Sequence, residues 1–335
     1  MRTAPVMAEL WRAGRRESIH RGHAVIVDAG GQVIEAWGDP SQLIYPRSSC
    51  KMLQGLPLLE TGAADALGLG SEELALACAS HSGGHIHTNK VSAWLERLGL
   101  SEADLRCGAH VPSDKAARKD MRDSGDSPCQ IHNNCSGKHA GFLTAATRLG
   151  GDADYIDPDH PVQKAALEAF EAMTDETSPG FGIDGCSAPN HVCTLTGLAK
   201  AMAKFTVPEA LGKARGKAVT QLYQAMATHP DLIAGHGRAC TELGHAMKGR
   251  GIVKTGAEGV YVAIAKEKKL GIALKIEDGT TRASEAAIAA LLVRIGMLER
   301  DDPAVQARTN APERNWRKMH VGDLVAAETL FTGSV

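Results

Sequence analysis

Short apolar runs near both ends of the chain predict antiparallel strands. Residues 23–37 hold two such runs around an Asp-Ala-Gly-Gly turn, and residues 260–276 hold two more around a charged Lys-Glu-Lys-Lys turn. Apolar runs that are joined by turn residues are typical of β-hairpins. The pattern therefore predicts a sheet built from about residues 20–40 and 255–280.

Between the two hairpins the apolar residues follow a helical period. They recur at every third or fourth position through most of the region from about residue 60 to about residue 235. One helix is expected to begin near Ser49, run to about Glu60 and end near Gly62. Further helices are predicted at about residues 72–79, 90–98, 141–149, 162–173, 195–204, 214–228 and 282–298.

These elements together predict an α/β (α+β) fold. A mainly antiparallel sheet from both chain ends would be flanked by helices, and the middle of the chain would form a helical region. With 335 residues and 43% hydrophobic content, the chain is long enough to bury a large core. No internal repeat or low-complexity linker divides it, so a single compact domain over residues 1–335 is expected.

Charge and hydropathy exclude two classes of partner. The net charge is −2, and no basic run is long enough to indicate a nucleic-acid surface. No segment approaches the ~18 consecutive apolar residues of a membrane span. The first residues lack the apolar block of a signal peptide, so a cytoplasmic location is expected. The eight cysteines do not suggest a disulfide framework in a chain of this kind.

The first chemical motif is the segment Ser-Ser-Cys-Lys at positions 48–51. If a helix begins near Ser49, Ser48 and Lys51 lie one turn apart on the same face. A serine hydroxyl becomes a good nucleophile when a neighbouring base removes its proton, and an amine can be that base when burial or a nearby cation lowers its pKa. Serine acylases use this Ser-x-x-Lys spacing, although an isolated match is more often a helix cap and a solvated lysine.

A second motif, Lys254-Thr255-Gly256, lies about 200 residues downstream and opens the apolar run of the second hairpin. A Lys-Thr-Gly strand lines the active site of the same class of acylases. Either motif alone could also be a strand-leading lysine or a turn glycine. Their order and separation together favour a serine acylase.

A polar, glycine-rich loop carries further candidate groups. Ser80 lies in a glycine-rich loop that could present its hydroxyl, and His81, His85 and His87 follow it. Three histidines at this spacing could bind a metal, but a polar loop with exposed histidines is the more common arrangement.

The segment around Cys135 and Lys138 leads small polar residues into a helix. A Cys-x-x-Lys pair can form a reactive thiol or bind a metal through a neutral lysine, which is an unusual ligand. Further along, Asp184 and Cys186 lie in a turn that ends in a proline and could supply a second sulfur to the same site.

Taken in order, five segments resemble the rhizobial-type (class 3) L-asparaginases, and the resemblance covers nearly the whole chain. The Cys-Ser-Gly-Lys-His block is its most specific part. The segments are Tyr45-Pro46-Arg47-Ser48-Ser49-Cys50-Lys51, Cys78-Ala79-Ser80-His81, Asn133-Asn134-Cys135-Ser136-Gly137-Lys138-His139, Asp184-Gly185-Cys186 and Lys254-Thr255-Gly256-Ala257-Glu258-Gly259.

The resemblance implies a fold similar to serine β-lactamases and glutaminases, a homodimer, and L-asparagine as the substrate. It also implies two Ser–Lys tandems, Ser48 with Lys51 and Ser80 with Lys254, and one Zn²⁺ per chain beside the nucleophile. The implied zinc ligands are Cys135, Lys138 and Cys186. Asp184 is implied to contact these ligands and not the zinc ion itself. Arg47 and His139 are the implied substrate contacts.

The expected reaction is hydrolysis of L-asparagine to L-aspartate and ammonia through an acyl-enzyme. Three other functions share part of these features. A glutaminase would use the same tandems, a penicillin-recognising serine hydrolase would acylate with a β-lactam, and a non-catalytic zinc-binding protein would need only the sulfur site.

Overall fold

The computed structural model describes residues 4–332, whose backbone contacts divide the chain into two compact units. Of the described residues, unit 1 combines 4–49, 193–207 and 242–332, and unit 2 combines 50–192 and 208–241. The expectation of a single domain over the whole chain remains a prediction. Among residues 4–332, no helix combines the length and the apolar character that crossing a membrane requires.

The strands and helices of the described residues are numbered here in chain order. The strands are β1 (Val6–Arg12), β2 (Arg15–Asp28), β3 (Val33–Trp37), β4 (Leu43–Ile44), β5 (Phe181–Ile183), β6 (Pro189–His191), β7 (Cys193–Thr194), β8 (Gly251–Thr255), β9 (Val260–Ala265), β10 (Leu270–Ile276), β11 (Asn310–Arg314) and β12 (His320–Ala326). The α-helices are α1 (Lys51–Gln54), α2 (Leu56–Glu60), α3 (Ala63–Leu67), α4 (Ser71–Ala77), α5 (His85–Arg97), α6 (Lys115–Ser124), α7 (Ser136–Leu149), α8 (Pro161–Thr174), α9 (Leu195–Lys204), α10 (Lys213–Thr228), α11 (Pro230–Ile233), α12 (Ala239–Met247), α13 (Thr281–Arg294) and α14 (Pro303–Thr309).

Unit 1 is built on an antiparallel sheet in the order β11-β12-β1-β2-β10-β9-β8, with β3 paired to the second half of β2. Every position of β9 is buried, so both faces of the sheet are covered at its centre. Helix α9 packs against β2 and β10, and α13 packs against β1, β9 and β10. The predicted antiparallel sheet from both chain ends, flanked by helices, is confirmed.

Unit 2 is the helical middle region that the sequence predicts. Helix α7 packs against α2, α3, α4, α5 and α8. Its first turn approaches α4 very closely, because a Cβ on Gly137 would lie 2.4 Å from the Leu76 carbonyl oxygen. Only glycine fits there without displacing backbone. This contact holds the start of α7 against the loop that follows α4.

Three sequence-based boundaries are wrong. The helix expected from Ser49 to Glu60 is a 3₁₀ turn, Arg47–Cys50, followed by two short helices that separate at Gly55. Pro57 lies in the first turn of α2 and has no N–H to continue α1, which explains the break. Helix α5 begins at His85 and α7 begins at Ser136, five residues earlier than expected in each case.

The sheet is also larger than the two predicted hairpins. Strands β1, β11 and β12 and the first half of β2 were not predicted. These strands have exposed positions with charged residues, so they lack the continuous apolar runs by which β9 and β10 are recognised.

Candidate active site

The turn that carries Ser48 belongs to unit 1 and places two neighbouring serines differently. Ser48 is half-buried, whereas Ser49 is fully buried and its hydroxyl donates to the Pro46 carbonyl oxygen at 2.7 Å. Arg47 begins the turn in the left-handed backbone region, with φ of 54°. The Ser49 hydroxyl already serves to hold the turn, which leaves Ser48 as the candidate nucleophile.

The Lys254-Thr255-Gly256 strand packs against this turn within unit 1. A Cβ built on Gly256 would lie 2.6 Å from the Pro46 carbonyl oxygen and 3.3 Å from the Ser49 nitrogen. Lys254 itself is buried and donates to the Thr255 carbonyl oxygen at 2.9 Å. The two sequence motifs of the acylase pattern, about 200 residues apart in the chain, therefore meet at this turn.

Replacing Gly256 by alanine is expected to impair the reaction through the turn. The added methyl group would overlap backbone atoms of the Pro46–Ser49 turn, and such overpacking costs about 1–3 kcal/mol. We expect kcat/KM to fall at least about tenfold if the turn shifts. Gly70→Ala is the matched control, because its Cβ would meet only the flexible Glu73 carboxylate, at 3.3 Å. Equal activity of both variants would show that the turn tolerates displacement.

In unit 2, Lys51 and Ser80 form a buried pair. The Lys51 Nζ lies 3.1 Å from the Ser80 Oγ, donates to the Ala79 carbonyl oxygen and lies 3.4 Å from the Asn134 carbonyl oxygen. Both side chains are buried.

The hydrogen-bond directions at Lys51 are informative. The two carbonyl oxygens can only accept, so Lys51 donates to both. A serine hydroxyl, unlike a carbonyl oxygen, can both accept and donate, so the Lys51–Ser80 contact is one through which a proton can pass.

His81 ties the Ser80 loop to the start of α7. The Gly83 N–H donates to the His81 Nδ1 at 3.1 Å, so the ring proton is on Nε2, which donates to the Ser136 Oγ at 2.9 Å. Ser136 donates in turn to the Ile131 carbonyl oxygen. Burial, followed by the charge of His87, lowers the pKa of His81 well below its usual range, so the ring is neutral.

The histidines of this loop do not form a metal site. His81 and His87 are buried and their rings stack, with centroids 4.8 Å apart, whereas exposed His85 pairs with Asp120 at 3.0 Å. The expectation of a loop with exposed histidines is wrong for the two stacked rings. Within residues 4–332, no group of three or more His, Cys, Asp and Glu side chains is arranged to bind a metal.

A second cluster in unit 2 consists of two sulfurs and an amine. Cys135 precedes α7, Lys138 lies in its first turn, and Cys186 lies in the turn between β5 and β6. The Lys138 Nζ donates to the Cys186 Sγ at 3.0 Å, and the Cys135 thiol donates to the Asn134 side-chain oxygen at 3.0 Å. All three residues are buried.

The charges in this cluster follow from these contacts. Neighbouring Cys135, followed by Lys138 and His139, lowers the pKa of Cys186 far below its usual range, and the proximity of Cys186 raises the pKa of Cys135. Burial lowers the pKa of Lys138, but the two cysteines outweigh it and raise the pKa overall. These directions favour a negative charge on Cys186 beside a positive charge on Lys138, 3.0 Å away.

Two further predicted site residues lie beside the cluster. Asp184 lies two residues before Cys186 in the same turn, and its charge also raises the pKa of Lys138. His139 is fully buried, and burial lowers its pKa to about 4. Its Nδ1 lies 2.8 Å from the Tyr155 hydroxyl, and its buried Nε2 has no hydrogen-bond partner among residues 4–332.

The donor set of the cluster fits a zinc ion. Zinc binds sulfur and nitrogen ligands in a tetrahedron, and two sulfurs and an amine converge here in a buried space. Binding would require Cys135 and Lys138 to lose a proton each.

The structure thus groups the predicted residues within each unit. Lys51 lies with Ser80, the three predicted zinc ligands lie together, and the Ser48 turn lies with the Lys254 strand. The pairings of Ser48 with Lys51 and of Ser80 with Lys254 each join the two units and stay predictions. The sequence did not point to Tyr155, which lies in an aspartate-rich loop with no motif of its own.

The sequence matches the family described as L-asparaginase II over residues 8–326, which assigns the protein to the amidohydrolases. Because the match covers nearly the whole chain, this chain belongs to the L-asparaginase II family. No curated protein sequence is significantly similar to it.

Solved structures that resemble this chain include two proteins at 12% sequence identity. A β-lactamase from Mycobacterium bovis has a TM-score of 0.39, with 79% of this chain and 89% of that chain covered. A protein named Mglu, in its native form, has a TM-score of 0.46, with 88% of this chain and 69% of that chain covered.

Proposed function

We propose that this protein hydrolyses L-asparagine to L-aspartate and ammonia. The observation that carries the proposal is the buried Lys51, whose Nζ is held by two carbonyl oxygens and faces the Ser80 hydroxyl. Such an arrangement prepares a lysine to exchange a proton with a serine. In an amidohydrolase of the L-asparaginase II family, this chemistry serves attack on a side-chain amide.

Ser48 is the proposed nucleophile and Lys51 its base. The Ser48 oxygen attacks the side-chain amide carbon while Lys51 accepts its proton, the C–N bond breaks, and the proton leaves with ammonia. Water then hydrolyses the ester, with Ser80 and Lys254 relaying protons. The spacing of three residues between Ser48 and Lys51 supports this pairing. Arg47 remains a proposed substrate contact.

We also propose that Cys135, Lys138 and Cys186 hold one Zn²⁺, with Asp184 as their charged neighbour. When bound, zinc supplies a Lewis acid that can orient the substrate. The serines already provide a nucleophile, so the role of these residues is to place the substrate and not to activate water.

Removing zinc is therefore expected to weaken substrate binding more than it slows chemistry. Protein stripped by a chelator and verified by metal analysis should show a raised KM and recover on addition of Zn²⁺. The Cys135→Ser variant should show the same defect without recovery. Unchanged kinetics in verified metal-free protein would exclude a role of zinc in the reaction.

The substrate is tested by the rate of ammonia release from L-asparagine and L-glutamine in parallel. A higher kcat/KM for asparagine supports the proposal. One methylene separates the two substrates by only about 1–3 kcal/mol, so some activity on glutamine is compatible with it. Activity on glutamine alone would indicate a glutaminase. Inactivity on both amides would favour a β-lactam hydrolase, if a β-lactam acylates Ser48, or a zinc-binding protein.

The assembly and location also remain proposals. The resemblance to class 3 L-asparaginases supports a homodimer, which light scattering of the purified protein tests directly. We also propose a cytoplasmic location, which fractionation of the source cells would test.

A further inference from the structure

Cys129 and His132 form a thiol–imidazole pair in unit 2, outside the site described above. Cys129 is partly exposed, whereas the other seven cysteines are buried. It directly precedes the 3₁₀ turn Gln130–His132, and its sulfur lies 3.2 Å from the His132 Nδ1. His132 is partly exposed as well. Reactive cysteines are typically found in such partly exposed positions beside a histidine.

The backbone determines the direction of the contact between these two side chains. The Cys129 N–H donates to the His132 Nδ1 at 3.2 Å. A backbone N–H can only donate, so this nitrogen carries a lone pair and the thiol is the donor in the sulfur–nitrogen contact. The His132 N–H closes the turn by donating to the Cys129 carbonyl oxygen at 3.2 Å. The thiol proton is therefore directed at a nitrogen that can accept it.

The surroundings of His132 leave its ring neutral at pH 7. Burial, the largest cause, lowers the pKa of His132. The contact with the Cys129 backbone raises it, and the charge of His85 lowers it. The carboxylates of Asp126 and Glu102 raise it. The net direction is downward, so the unprotonated ring that a base requires predominates.

The turn that carries this pair leads directly into the candidate active site. The Ile131 carbonyl oxygen accepts from the Ser136 hydroxyl at 2.9 Å. The Asn134 carbonyl oxygen accepts from the His81 backbone N–H at 3.2 Å and lies 3.4 Å from the Lys51 Nζ. A shift of the turn would therefore move an acceptor of the Lys51 amine.

We propose that Cys129 is a modification site at which thiol–disulfide exchange with small-molecule disulfides, such as oxidised glutathione, controls the neighbouring active site. The Cys129 sulfur attacks one sulfur of the disulfide while the His132 Nδ1 accepts the thiol proton. The new S–S bond forms as the old one breaks, and the released thiolate takes the proton from His132. Cys129 is oxidised, and the released half of the disulfide is reduced.

The attached group ends the hydrogen bond from the thiol to His132 and displaces the turn. Hydrolysis is slowed until a free thiol reverses the exchange. The effect on hydrolysis rests on the proposed function, whereas the exchange at Cys129 does not.

Mass spectrometry of protein incubated with oxidised glutathione tests the exchange. The full chain, supplied with Zn²⁺ at pH 7, should gain one glutathionyl group, which peptide mapping should place on Cys129. Dithiothreitol should remove this group. A glutathionyl group on another cysteine, or none at all, would overturn the proposal. This measurement uses no amide substrate, so its failure is distinct from a failure of the proposed function.

The role of His132 is tested by the rate of exchange and by its pH dependence. His132→Gln removes the base, so the rate constant at pH 7 should fall at least about tenfold. Between about pH 6.5 and 7.5 this rate should rise roughly tenfold in the variant, as it does for an isolated thiol, and less steeply in the parent protein. His110→Gln changes an exposed histidine of the same unit and should leave the rate unchanged. A parental rate and slope in His132→Gln would contradict the role of His132.

Activity before and after the exchange tests the control of the active site. The modified protein should show a kcat/KM for L-asparagine at least about tenfold lower, and dithiothreitol should restore it. Cys129→Ala should retain the parental activity within about threefold and should keep it in oxidised glutathione, because the other cysteines are buried. Equal inhibition of Cys129→Ala, or full activity of protein that carries the group on Cys129, would overturn the proposed control.

Discussion

Replacing Ser48 by alanine is expected to abolish hydrolysis of L-asparagine while leaving the fold intact. The account assigns bond formation to this hydroxyl, and removing a nucleophile typically lowers kcat by at least about 10³-fold. Ser48 is half-buried, and its truncation leaves the Ser49–Pro46 hydrogen bond of the turn in place. The measurement is kcat from steady-state ammonia release, with urea unfolding to verify stability.

The neighbouring serine provides a matched control for this result. Ser49→Ala removes a buried hydroxyl that only holds the turn, and the Pro46 oxygen keeps the Ser49 backbone N–H as a donor at 3.2 Å. The expected cost is about 1 kcal/mol of stability, with activity within about tenfold of the parent protein. Near-normal turnover in Ser48→Ala would move the nucleophile to Ser80, whose hydroxyl lies 3.1 Å from the Lys51 Nζ.

Replacing Cys186 by alanine is expected to destabilise the metal-free protein strongly. The Lys138 Nζ donates to the Cys186 sulfur at 3.0 Å, both side chains are buried, and Cys135 and Lys138 lower the pKa of the Cys186 thiol, so we expect the two to form an ion pair. Breaking a buried ion pair by removing one partner costs about 3–5 kcal/mol, because the remaining charge is left uncompensated. Urea unfolding at neutral pH, in the presence of a chelator, measures this loss in the free energy of unfolding.

Two further variants test whether the uncompensated charge of Lys138 causes this loss in the free energy of unfolding. Cys193→Ala also removes one sulfur from a buried cysteine, on β7, and should cost only about 1–2 kcal/mol. Adding Lys138→Met to Cys186→Ala removes the uncompensated charge and should restore part of the stability. Equal costs for the two cysteine variants, with no recovery in the double variant, would show that Cys186 and Lys138 do not form an ion pair.

Much of the fold could be predicted because its signals are local. The strands β9 and β10 are continuous apolar runs, and their predicted bounds agree with the structure. Helix α9 was also placed correctly from its apolar period. By contrast, β11 and β12 alternate exposed and buried positions with charged residues, and only their pairing with β1 identifies them as strands.

The candidate site also combines features that the sequence predicts with features that only the structure shows. Residues that lie in compact motifs, such as Cys135 and Lys138, could be recognised from their spacing. The contact between Lys51 and Ser80 joins residues 29 positions apart and depends on the packing of α7 against α4, which no local pattern reveals. Tyr155 lies in the loop between α7 and α8, and its hydrogen bonds to Arg106 and His139 are visible only once the ring is placed.

The most direct test of the central claim is to identify the serine that becomes acylated. Protein mixed rapidly with L-asparagine, quenched in acid and digested, should yield one peptide that carries an aspartyl ester on Ser48 when mapped by mass spectrometry. The adduct should be absent from Ser48→Ala and should accumulate when Ser80 or Lys254 is replaced. An ester on another residue, or turnover with no covalent adduct in any of these variants, would contradict the account.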